Sequence, residues 1–238
     1  MTRILFFIFL TSISFPSLAA DLTNENTKNV MTMNVIESAK GDLNHDGIDD
    51  EVITKSECGD CFDWDSETPP QKVVEVYLSN AKTKKRDLAE SSRTAICYNC
   101  GGIKGFKIIG TPEISKKGVL TMIYSGGSRY MWENQLKWRL NTKTKKLELI
   151  GETVINTDTL REDGEWDPED SGATISEDIN FMTGKAILKK MGPKKKVITQ
   201  ECLLGKDLKL PDFPDFDFEK FTETPQSMQC PDAPARNL

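Results

Sequence analysis

Between Tyr130 and Leu140 the side chains sort by alternation. Trp132, Asn134, Leu136, Trp138 and Leu140 fall on one side of an extended backbone, and Met131, Glu133, Gln135, Lys137 and Arg139 on the other. A period of two is what a half-buried antiparallel strand requires. Asn141 to Lys146 is a polar turn, and Leu147-Glu148-Leu149-Ile150 returns as the hairpin partner. Shorter runs read as strands too: Glu51-Val52-Ile53-Thr54, Val73 to Leu78, and Ile114 followed by Val119 to Tyr124 around the turn Lys116-Lys117-Gly118. Ile179 to Lys189 and Val197 to Cys202 read as another strand pair around Gly192-Pro193. Phe106 to Ile109 is a short apolar run, Lys82 to Ser92 is charged and reads as a helix or a long loop, and residues 21–40 give no assignable pattern. No long stretch keeps helical periodicity with caps. The prediction is a mainly β fold, an antiparallel sheet or sandwich with few short helices.

The ends differ from this middle. Arg3 precedes an apolar run, Ile4 to Ile13, and Ser17-Leu18-Ala19 supplies small residues for cleavage after Ala19, with Ala20 as the alternative. This is the pattern of a signal peptide over residues 1–19, and the run is too short for a membrane span. It implies a periplasmic or secreted protein with no span once the signal is removed. Residues 20–209 then form a single β-rich domain. Residues 210–238 begin Leu210-Pro211-Asp212-Phe213-Pro214-Asp215-Phe216-Asp217-Phe218 and predict an extended C-terminal segment laid over the domain.

A formal charge of −6 with no basic stripe argues against a nucleic-acid partner. The basic clusters Lys82 to Arg86 and Lys189 to Lys196 flank turn-like residues and read as solvated loops.

Gly41-Asp42-Leu43-Asn44-His45-Asp46-Gly47-Ile48-Asp49-Asp50 carries the most specific chemistry. Asp42, Asn44 and Asp46 occupy alternate positions, so a curling backbone can turn three oxygens inward, and Gly47 permits the sharp turn after them. The Ile48 carbonyl and the Asp50 carboxylate fill the next ligand positions of a Ca2+ loop. The competing reading is a solvated Asp/Asn/Gly turn. Ile53 stands at the twelfth position, where a helix–loop–helix site supplies a bidentate glutamate, so the expectation is a weaker, structural site leading into a strand. Magnesium fits less well because it keeps its waters. His45, the only histidine, points out of such a loop, and its isolation argues against histidine-based triads and His-ligated zinc.

This loop resembles the calcium-binding, aspartate-rich loops of FG-GAP and VCBS repeat proteins. Those folds repeat the loop blade by blade; here it occurs once, so the resemblance does not imply a propeller. The order of Gly41 to Ile53, Cys97-Tyr98-Asn99-Cys100-Gly101-Gly102, Gly118-Val119-Leu120, Gly126-Gly127-Ser128 and Ile179 to Lys185 is also similar to a group of uncharacterised exported bacterial proteins with a single GDLNxDG loop. That resemblance implies an exported β protein and no particular activity.

The six cysteines are Cys58, Cys61, Cys97, Cys100, Cys202 and Cys230. An even number in an exported chain points to disulfides. Two C-x-x-C pairs also admit a four-cysteine zinc site or a redox motif. Their separation and the oxidising compartment disfavour zinc, and the acids after Cys61 would raise a thiol pKa. Bridges crossing between the two motifs would each contribute about 3.9 kcal/mol, against about 1.9 kcal/mol for a bridge within one motif. Cys202 and Cys230 would form the third bridge.

Two further segments invite chemistry. Asp158 to Asp170 holds seven acids around Trp166, which suits a carboxylate hydrolase or, more simply, an acidic loop. Gly126-Gly127-Ser128-Arg129 could cradle an anion but reads better as a turn into the Tyr130 strand. The leading expectation is therefore an exported, disulfide-containing β protein with one structural calcium. It would be non-enzymatic, binding another macromolecule or associating with the envelope. A calcium-dependent hydrolase acting through carboxylates is the alternative, and a thiol–disulfide oxidoreductase a more distant one.

Overall fold

Alternation of apolar and polar residues along the chain sets most of the strands. The computed structural model describes residues 33–57, 71–96, 110–159, 174–191, 197–205, 209–223 and 228–230. The signal segment, Cys58, Cys61, Cys97, Cys100, Phe106 to Ile109, Gly192-Pro193 and most of the acidic segment 158–170 lie outside them. Among the described residues no helix is long and apolar enough to cross a membrane.

The protein is mainly β, built from two antiparallel sheets. The first comprises β1 (Asn34–Gly41), β2 (Asp50–Ser56), β3 (Lys72–Ser79) and β4 (Arg86–Ser92) in sequential order. The second runs β12-β11-β10-β9-β8-β7-β6-β5. Its members are β5 (Thr111–Ile114), β6 (Val119–Gly127), β7 (Tyr130–Asn141), β8 (Lys146–Asp158), β9 (Thr174–Asn180), β10 (Lys185–Met191), β11 (Val197–Leu204) and β12 (Met228–Gln229). Every pairing is antiparallel between neighbours, and neither sheet closes into a barrel or repeats as blades.

Strand β7 buries the face its alternation predicts: Asn134, Leu136, Trp138 and Leu140 are buried and the intervening residues are not. One cluster joins Val52, Val74 and Val76 of the first sheet to Leu120, Met122, Leu136, Trp138, Leu147 and Leu149 of the second. Burial of such side chains contributes about 1.5–3 kcal/mol each.

The structure differs from the sequence expectations in four places. Residues 34–41, which carried no pattern, form edge strand β1. Lys82 to Ser92 is neither helix nor long loop: a turn over 81–83 leads into β4. The strand was concealed because Glu90 and Ser92 occupy its inward positions, and because a bulge between Leu88 and Glu90 breaks the alternation. Ile179 to Lys189 is a hairpin, with β9 ending at Asn180 and β10 beginning at Lys185. The C-terminal segment contains a 3-10 turn, Phe213–Asp215, and helix α1, Phe218–Glu223. It is not simply draped over the surface, because Phe213, Phe216 and Phe218 are buried in the core. Phe213 and Phe216 meet the Trp138 ring edge-on, and Phe218 stacks on Tyr124 with ring centroids 3.9 Å apart.

A candidate metal loop between β1 and β2

Gly41 pairs with Asp50 at the open end of the β1–β2 ladder, so residues 42–49 form the connection between the strands. Leu43 anchors it by inserting into the core. Its polar neighbours fold the backbone on itself. The two Asp42 oxygens accept the N–H groups of Asp46 (3.1 Å) and Gly47 (2.8 Å); Asn44 Oδ1 accepts Asp46 N–H (2.9 Å); Asp46 Oδ1 accepts Ile48 N–H (3.0 Å). These are turns in which Asx side chains substitute for backbone acceptors. They require two left-handed residues, Gly47 (φ 84°) and His45 (φ 61°).

Asp50 plays a different part. It is fully buried, and its carboxylate staples three backbone groups: Leu43 N–H (2.9 Å) and Asn44 N–H (3.3 Å) on Oδ2, and Ser79 N–H (2.7 Å) on Oδ1. Ser79 returns a bond from its hydroxyl to the Asp49 carbonyl (2.7 Å). Burial pushes the Asp50 carboxyl above its ordinary pKa, the three N–H donors pull against this, and the Asp46 charge adds to the rise.

The loop rests on the β5–β6 turn of the second sheet. A methyl group on Gly118 would lie 2.8 Å from both the Asp42 carbonyl and His45 Cε1, and Gly118 has φ +65°. Only glycine satisfies both the close approach and the backbone angle there.

The structure thus brings Asp42, Asn44, Asp46 and Ile48 onto one connection and directs Asp50 into the staple beneath it. Among the described residues no three His, Cys, Asp or Glu side chains converge as a metal cage. The donor chemistry is nonetheless that of a hard cation. A carboxylate or amide oxygen accepting a single N–H keeps a second lone pair, and oxygen-only donors suit calcium.

The other candidates sort differently. Arg129 is bound bidentately by Asp158 (3.0 Å to each oxygen), and its carbonyl accepts the Thr159 N–H and hydroxyl. Gly126 and Gly127 accordingly end β6, pairing with Trp132 and Met131, and Ser128 and Arg129 make the turn into β7 with the guanidinium engaged. Cys202 and Cys230 form a disulfide that ties β11 to the residue after β12. The other described buried acids are each held by partners of their own: Glu51 by Lys40 and Arg86, Glu90 by the Leu147 N–H, and Glu152 by Asn134. On the outer face of the first sheet, desolvation opposes ionisation of Glu75, yet hydrogen bonds from Lys55 and Tyr77 hold it below the usual carboxylate range.

The fold and the loop define a two-sheet antiparallel β protein with an Asx-turned connection. No protein-family model matches the chain, and comparisons with curated proteins and with solved structures return no match.

Proposed function

We propose that this chain is an exported, disulfide-tied β protein in which Asp42, Asn44, Asp46 and the Ile48 carbonyl hold one structural calcium ion. Asp50 contributes either directly or by fixing the loop. On this reading the protein is non-enzymatic and acts by binding a macromolecular or envelope partner in the periplasm or outside the cell. The observation that carries the calcium assignment is the shape of the connection: alternate oxygen-bearing side chains on a backbone already curled by Asx turns and closed at Gly47. Export rests on the N-terminal pattern and agrees with the Cys202–Cys230 disulfide.

A structural ion that binds only the folded chain raises its stability by mass action. Calcium added at millimolar concentration should therefore raise the unfolding midpoint of the wild type and leave Asp46→Ala unmoved. An unchanged wild-type midpoint would remove the metal from the proposal. Sequencing of the mature N-terminus tests export: it should begin at Ala20 or Asp21.

A further inference from the structure

We draw no further inference here: the strongest candidate, the groove between β4 and the lysine-bearing turn 141–146, has Lys146 already paired with Asp212 and the acids Asp49 and Asp87 beside the lysines of the neighbouring turn 80–85, so no charge of one sign marks it, and nothing in the structure shows what covers it.

Discussion

Asn134 donates its side-chain amide to Glu152 Oε1 across 2.7 Å, joining the inward faces of β7 and β8. Both residues are 5% exposed. Glu152 reaches the core because Lys137 pairs with Gly151 while Trp138 pairs with Leu149, leaving Ile150 as an extra residue that reverses the alternation of β8. Asn134 Oδ1 has no partner, so a buried carboxyl and a half-satisfied amide share one strand pair.

This pair makes stability depend on pH. Burial pushes the Glu152 pKa above its ordinary value of 4.5, the Asn134 amide opposes the shift, and the Glu177 charge on β9 adds to it. A carboxyl with a raised folded pKa gives stability that is complete below the unfolded pKa and is lost as pH rises through the folded one. Glu152→Gln keeps an acceptor for Asn134 and removes the titration. In urea melts the variant should match the wild type near about pH 4 and exceed it by on the order of 1 kcal/mol or more near about pH 8. Equal pH profiles would show that Glu152 is solvated in the folded protein.

Asp50 and Asp46 separate structure from metal. Asp50→Ala leaves the N–H groups of Leu43, Asn44 and Ser79 without their acceptor and should cost about 2–4 kcal/mol even in chelator. Asp46 is exposed and caps only Ile48, so Asp46→Ala in chelator should cost under about 1 kcal/mol. Denaturant titrations with and without calcium measure both.

Three hairpins share a turn that the chain writes three times: Asn80-Ala81-Lys82-Thr83-Lys84-Lys85, Asn141-Thr142-Lys143-Thr144-Lys145-Lys146 and Asn180-Phe181-Met182-Thr183-Gly184-Lys185. In each, the Asn Oδ1 accepts the N–H of the threonine three residues on, and the residue after that threonine is left-handed: Lys84, Lys145 and Gly184. Lys145→Gly should stabilise the protein by about 0.5–1 kcal/mol, since an L side chain is strained there. Asn141→Ala should destabilise it by about 1 kcal/mol through loss of the turn acceptor. Thermal melts of the two variants should move in opposite directions.

That repeat was legible and would have located β4 and divided Ile179 to Lys189 correctly, because it marks a hairpin whatever the flanking hydrophobicity. The alternation of β7 was legible because its partners bury one whole face. β4 was not, since its inward residues are polar and become satisfied only in the fold: Glu90 by the Leu147 N–H, Ser92 by the Phe216 carbonyl. The loop at Asp42–Asp46 could be read as a set of oxygens, but the use of Asp50 as a staple depends on Ser79, 29 residues away. No local pattern encodes that bond.

The C-terminal segment is held in two independent ways, which a pair of variants can separate. Phe216 lies between Trp138 and Phe221, with ring centroids 5.2 and 5.4 Å away, and its carbonyl accepts the hydroxyls of Ser92 and Thr94. Truncation by Phe216→Ala leaves a cavity facing Trp138 and should cost about 3–5 kcal/mol. The Cys202–Cys230 bridge closes a loop of 28 residues around the segment, and replacing both cysteines by serine should cost about 3–4 kcal/mol on chain-entropy grounds. The mechanisms differ in where they act, because the aromatic contacts stabilise the folded chain and the bridge restricts the unfolded one. Phe216→Ala should therefore weaken stability equally in oxidised and reduced protein, and the two costs should add within about 0.5 kcal/mol. A strongly smaller effect of Phe216→Ala after reduction would show instead that the bridge is what seats the phenylalanines.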